Sequence, residues 1–295
     1  MKPDDVPTFE VDPRLLREWP LPQPDAGADK EERGSTLVIA GSAEMPGAAC
    51  LAATAALRAG AGKMAVATVA GIAPGLALLL AEARVLALPQ TDAGGLAADG
   101  MSQVEPRLAK VDAVLIGPGL LDGAATRSFT RRLLKRATRA AVVVDALAMD
   151  VVLDLRRFER PPLLTPHAGE MAHLTGLAKD EISADPERHA REAALRWNAV
   201  VALKGSTTYI ATPDGDCWRH VSSHVGLGTS GSGDALAGII VGLAARGASL
   251  AQAAVWGVAL HARAGRALAE RMGPLGYLAG ELPAEIPMLM DKLSH

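Results

Sequence analysis

The chain of 295 residues is 49% hydrophobic, 21% charged and 3% aromatic, with a formal net charge of −3. That balance fits one large α/β domain or two small ones around an aliphatic, alanine-rich core, and without a basic block it argues against nucleic-acid or membrane binding. Two cysteines, Cys50 and Cys217, stand without metal-ligand spacing, which argues against a disulfide framework or a zinc site.

Residues 1–33, rich in proline and charge and ending in DKEER, read as an extended arm with a short turn at LLREW, leaving 34–295 as the domain. The start, MKPDDVPTFEVDP, is acidic and has no apolar core, so it is not a signal peptide and the expected compartment is the cytoplasm. From residue 36 the pattern alternates. TLVIAG (36–41), KMAVATV (63–69), RVLALP (84–89), DAVLIGPG (112–119) and AVVVDA (141–146) are aliphatic runs, and the stretches between them, such as GAACLAATAALRAG (47–60), have helical character. Continuous aliphatic strands separated by helices imply a mostly parallel sheet covered on both faces. NAVVALKG (198–205) and STTYIATPDGDCWRHV (206–221), with its PDGD turn signal, predict instead an antiparallel hairpin at one sheet edge. From 232 to about 270 two consecutive helices are predicted, separated by RGAS (246–249). The longest apolar run, ALAGIIVGLAA (235–245), is shorter than the roughly 20 residues a membrane span needs.

In open α/β sheets, ligands sit at the carboxyl ends of the strands. GSAEMPGA, GPGL, DALAM and TPHAGE all follow strand runs, which places them to converge on one cleft. GTSGSGD (228–234) opens a helix. Its glycines let backbone N–H groups approach an anion, and a helix N-terminus adds free donors and partial positive charge. Asp234 at that end would stay ionised and could take a proton from a substrate hydroxyl. The alternative is that Ser232 or Asp234 only caps the helix, worth about 1 kcal/mol.

In TPHAGE, His167 is placed to donate to a substrate amide or phosphate and Glu170 to hold a metal-bound water. Alternatively they are a surface histidine and a first-turn acid favoured by the helix dipole. In KGSTT, Lys204 and the hydroxyls of Ser206, Thr207 and Thr208 could hold a nucleotide phosphate or form a polar turn; neither a Walker A loop nor a G-x-G-x-x-G fingerprint is present. Asp145, at a strand end, reads equally as a functional carboxylate or a helix cap. His261, among apolar neighbours in WGVALHARAG, reads as a satisfied structural histidine.

Taken together, GSAEMPGAACLAATAALRAGAGK, GPGL, VVDALAM, LLTPHAGE, KGSTT and GTSGSGDALAGIIVGLAARG resemble, in that order, the ADP-dependent NAD(P)H-hydrate dehydratases of the ribokinase-like superfamily, over about residues 34–285. The resemblance implies a ribokinase-like α/β fold with a central mostly parallel sheet, helices on both faces and an antiparallel edge hairpin. It implies dehydration of the S epimer of NADHX or NADPHX, with ADP converted to AMP and phosphate; Mg²⁺ is expected because a nucleotide diphosphate is normally handled as its metal complex. By that resemblance Asp234 is the catalytic base and Ala48, Gly119, His167 and Asp234 contact the hydrate. Lys204, Gly205, Ser206, Thr207, Thr208 and Gly233 contact the adenine nucleotide, while the metal ligands are left unassigned beyond Glu170.

A homo-oligomer, with a tetramer as the form considered, is expected, with no nucleic-acid or membrane partner. Two positions depart from the family pattern: Ala49 stands where many members have proline, and LHA (260–262) where many have LHG. The arm is too short for the epimerase domain that many relatives carry, so the dehydratase alone is expected. Two rival readings use the same motifs: a superfamily kinase acting on a hydroxymethyl group of a vitamin precursor, and a protein that binds adenine nucleotide without turnover.

Overall fold

The computed structural model describes residues 7–25, 27, 32–121, 123–222 and 225–294. Its strands are β1 (Thr8–Glu10), β2 (Ser35–Ile39), β3 (Lys63–Val69), β4 (Ala83–Leu88), β5 (Ala113–Ile116), β6 (Ala141–Val144), β7 (Leu163–Leu164), β8 (Val200–Leu203), β9 (Thr207–Ala211) and β10 (Cys217–Val221). They form one sheet in the order β1-β10-β9-β8-β7-β6-β5-β2-β3-β4. Pairing is parallel except where β9 meets β8 and β10, so the expected mostly parallel sheet with antiparallel strands towards one edge is what the chain forms.

The helices are α1 (Pro13–Glu18), α2 (Pro46–Arg58), α3 (Ala73–Leu79), α4 (Met101–Leu108), α5 (Gly123–Arg136), α6 (Val151–Asp154), α7 (Ala168–Thr175), α8 (Lys179–Ala184), α9 (Pro186–Trp197), α10 (Ser232–Ala245), α11 (Leu250–Met272) and α12 (Leu282–Ser294). Successive side chains of a strand face opposite sides, and the sequence uses both. Val38, Leu115, Val143 and Ala202 join a core with α2, α10 and α11, while Leu37, Ile39, Val114, Val144 and Val201 join a second core with α4, α5 and α9. Among the described residues no helix is long and apolar enough to cross a membrane.

The scarcity of aromatics has a structural counterpart in how α2 and α10 meet. A Cβ at Gly238 or Gly242 would strike the Ala52 or Ala56 carbonyl. The two backbones therefore touch, and α10 is held against the sheet with its N-terminus at the carboxyl ends of the strands.

The outermost strand is not the hairpin that the sequence predicts there. β1 pairs in parallel with β10, Phe9 opposite Trp218, and LLREW lies largely in α1, which buries Leu16. Trp19 stacks on Trp218 with ring centroids 5.4 Å apart, and its carbonyl accepts a 2.8 Å hydrogen bond from the Trp256 indole. The covered edge has a physical advantage, because an open ladder recruits other strands.

Candidate active site

Three strand ends and one helix start bring predicted motifs to one rim. The β7 and β8 ends run side by side: Lys204 N–H donates to the Pro166 carbonyl at 2.8 Å, and His167 bridges Lys204 in register. Asp145 leaves the end of β6, buried. Across from them α10 opens on Gly231, whose φ of +85° suits glycine and whose missing side chain leaves the helix start uncapped.

That start decides between the two readings of GTSGSGD. Neither Ser232 nor Asp234 caps the helix. Gly231 is the N-cap, with no side-chain capping bond, and the Ser232 hydroxyl is bonded instead to His261 Nε2 at 2.9 Å. The first hydrogen bond of the new helix, from Ala235 N–H to the Gly231 carbonyl, comes after Gly233 and Asp234. Their N–H groups have no acceptor among the described residues. Two free donors at the positive end of a 14-residue helix form an anion cradle.

Asp234, in that first turn, is half-buried, and its pKa is pushed up to about 6. Burial is the main cause, followed by the negative charge of Asp145, with Lys204 pulling the other way. The helix end does not keep it a strong acid; it is a carboxylate poised near neutrality, which suits a general base.

Lys204 faces three acids. Its Nζ lies 3.4 Å from Asp145 Oδ1 and 3.8 Å from Glu170 Oε2. Burial alone would lower its pKa, but Asp145, Glu170 and Asp234 together hold it above the usual lysine value. The ammonium is therefore firmly charged. Asp145 also accepts a 2.5 Å bond from the Thr165 hydroxyl and, although it precedes a short 3₁₀ turn, makes no capping bond. The cap alternative for Asp145 falls away, and the residue becomes the buried counter-ion of Lys204.

His167 and Glu170 form a reciprocal capping box on α7. His167 Nδ1 accepts from the N–H groups of Gly169 and Glu170 at 3.0 and 3.1 Å, and Glu170 Oε2 accepts from His167 N–H at 2.8 Å. With Nδ1 used as an acceptor, a neutral ring carries its proton on Nε2. That tautomer carries its proton on the nitrogen 3.6 Å from Glu170 Oε2, in a side chain that lines the cleft.

A cavity of about 660 Å³ gathers His167, Lys204, Gly205, Ser206, Thr208 and Gly233, six of the residues singled out in the sequence. Thr207 begins β9 between them without lining the cavity. Thr208 turns its hydroxyl to the Gly205 carbonyl at 3.3 Å. A second cavity of about 320 Å³ lies on the other side of His167, lined by Ala146, Met149, Asp150, Glu170 and His173 among others.

Ala48 and Gly119 line neither cavity. They adjoin each other further along the rim, where a Cβ on Gly119 would meet Ala48 Cβ and the Met45 carbonyl. Ala262, at the LHA departure, lines the larger cavity.

The sequence reading passed over His220 and Ser222, which line the same cavity and whose Nδ1 and Oγ are buried without a hydrogen-bond partner among the described residues. The signal available was their alternation at the end of β10 and the residue after it, past the PDGD turn.

The model of the family described as NAD(P)H-hydrate dehydratase matches residues 36–288. The chain belongs to the NAD(P)H-hydrate dehydratase family. It is 47% identical over 281 residues to the ADP-dependent (S)-NAD(P)H-hydrate dehydratase of Xanthomonas campestris, covering 94% of each chain. Among solved structures it is similar to the ADP/ATP-dependent NAD(P)H-hydrate dehydratase of Bacillus subtilis co-crystallised with ATP and Mg²⁺, at 30% identity and a TM-score of 0.82, covering 98% of this chain and 99% of that one. A ribokinase-like superfamily protein of Enterococcus faecalis, at 24% identity and a TM-score of 0.81 over 97% of this chain and 96% of that one, shares the fold. For this dehydratase-family chain the expected ribokinase-like architecture is thus shown.

Proposed function

We propose that the chain repairs hydrated nicotinamide cofactors, dehydrating (6S)-NADHX and NADPHX to NADH and NADPH while ADP becomes AMP and phosphate. The observation that carries this reading is the pairing of Asp234, with its pKa raised to about 6, with the uncapped first turn of α10 in which it stands. A carboxylate in that place serves an incoming hydroxyl, and the free N–H groups beside it serve the phosphate that the hydroxyl attacks.

In this mechanism the nucleotide lies in the larger cavity, its terminal phosphate over Gly233 and against Lys204, with Gly205, Ser206 and Thr208 along its flank and Thr207 behind them in β9. The hydrate lies along Ala48, Gly119 and His167, with its ring hydroxyl at Asp234. Asp234 takes the hydroxyl proton, the oxygen attacks the terminal phosphorus of ADP, and the bond to the bridging oxygen breaks to release AMP. Lys204 and the cradle offset the negative charge that develops on the transferring group. The ring nitrogen's lone pair then expels phosphate, and loss of the neighbouring C–H proton restores the double bond.

Mg²⁺ would accompany the nucleotide and neutralise phosphate charge. Among the described residues no group of three or more His, Cys, Asp or Glu side chains is placed to hold a metal, and one oxygen of Glu170 is already occupied by the His167 N–H. These residues fit a hydrated ion carried in on phosphates, the usual habit of Mg²⁺, with Glu170 reaching its water shell. A cytoplasmic homo-oligomer completes the proposal; sedimentation tests the assembly.

The deciding experiment mixes the protein with ADP and NADHX. AMP, phosphate and NADH should appear in equal amounts, with no phosphate released when hydrate is omitted. A stable phosphorylated organic product would replace this reading with a kinase. ADP binding without any turnover would replace it with a nucleotide-binding protein.

A further inference from the structure

Helix α11 sends one side chain into the glycine turn that opens α10. His261 Nε2 lies 2.9 Å from the Ser232 hydroxyl and 3.1 Å from the Ser232 carbonyl oxygen, and both residues are buried. His261 also lines the larger cavity beside Gly233. We propose that His261 is a positioning residue for the nucleotide: by gripping Ser232 it holds the first turn of α10 open to phosphate oxygens.

The argument turns on what Ser232 would otherwise do. Serine is a favoured N-cap, its hydroxyl accepting from the N–H groups two and three residues on. If the helix began one residue later, Ser232 would become that cap and cover Asp234 N–H, one of the two free donors. His261 removes this option by engaging both the hydroxyl and the carbonyl of Ser232. Gly231, with no side chain, then occupies the cap position and leaves the donors bare.

The ring acts through hydrogen bonding, not charge. Burial lowers its pKa to about 4, opposed by the bond to Ser232 and aided by Lys204 and His220. At neutral pH it is uncharged, so Lys204 remains the cation that meets phosphate. The same weak basicity removes the other chemistry that a serine beside a histidine suggests, since a ring protonating near 4 in contact with a buried serine is a poor base for a nucleophile.

This inference rests on the nucleotide occupying the larger cavity. Its test uses the full-length protein and measures ADP binding by calorimetry, together with separate KM values for ADP and hydrate. His261→Leu, close in volume but unable to bond Ser232, should raise the ADP Kd and KM ~10-fold, the loss of about 1.4 kcal/mol, and move the hydrate KM less. His261→Gln, whose amide reaches the position of Nε2, should restore ADP binding to within ~3-fold of wild type.

Ser232→Ala removes the competing cap itself, so alone it should leave the ADP Kd near wild type, and added to His261→Leu it should recover most of the lost affinity. His261→Asn, too short to reach Ser232, serves if His261→Leu does not fold. A folded His261→Leu that melts earlier yet binds ADP like wild type would overturn the inference and leave His261 a core residue. So would His261→Asn with an unchanged Kd where His261→Leu is insoluble. Failure of wild type itself to bind ADP would instead remove the nucleotide reading beneath it.

Discussion

Lys204 Nζ lies 3.4 Å from Asp145 Oδ1, and the Thr165 hydroxyl donates to that same oxygen at 2.5 Å. One buried carboxylate therefore fixes the cation and also raises the proton affinity of Asp234, on whose pKa it acts as a like charge. Positioning and tuning share a residue, and that coupling makes the site's behaviour testable.

Replacing the base separates chemistry from binding. Asp234→Asn keeps the shape of the side chain and should cut dehydration by on the order of 10²–10⁴ while ADP affinity stays nearly constant. Turnover at the wild-type rate would exclude Asp234 as base.

The same substitution should stabilise the protein at neutral pH. The folded-state pKa of Asp234 is raised from 3.8 to about 6, so its contribution to stability is fully present below the unfolded value and lost as pH rises through about 6. At pH 7.5 Asn should therefore gain ~1–3 kcal/mol over the ionised aspartate, and the gain should vanish near pH 4. Denaturant midpoints of the two proteins at these pH values measure it.

A base of this kind works only when ionised. The kcat/KM of wild type for the hydrate should rise with pH on a limb centred near 6, the raised value of Asp234. Asp145→Asn, which removes a like charge, should shift that limb to lower pH. Lys204→Ala, which removes the opposing charge, should shift it higher. A limb that stays put in both variants would mean that another group titrates.

Lys204→Ala should also raise the KM for ADP more than that for the hydrate, because its charge is directed at phosphate. It leaves Asp145, Glu170 and Asp234 facing one another without the ammonium that now offsets them. Thermal stability should fall as well, and added ADP should recover less of it than in wild type.

The contact between α2 and α10 sets a stability prediction remote from the chemistry. Gly238→Ala would drive its methyl into the Ala52 carbonyl and Ala55 Cβ, an overpacking that costs ~1–3 kcal/mol. The melting temperature should drop; an unchanged one would mean that the helices separate freely.

Much of this protein could be read from the order of residues alone. Aliphatic runs such as AVLI and AVVV have no polar alternation, which a strand can bear only when both its faces are covered, so a parallel sheet between helices follows from local pattern. GTSGSGD marked a helix start for the same local reason, and KGSTT and TPHAGE were placed at strand ends by the runs before them. Those are short-range properties, governed by side chains a few residues apart.

What the order of residues left open was settled by contacts between distant segments. Ser232 as a cap or not depended on His261, 29 positions away in the chain. Asp145 as a cap or a counter-ion depended on Lys204, 59 positions away. The arm reads from sequence only as extended because the partners of its Trp19, namely Trp218 and Trp256, lie some two hundred residues beyond it. A polar side chain takes whichever partner the fold brings within about 3 Å; propensity ranks its local options, and only tertiary packing supplies the competing one.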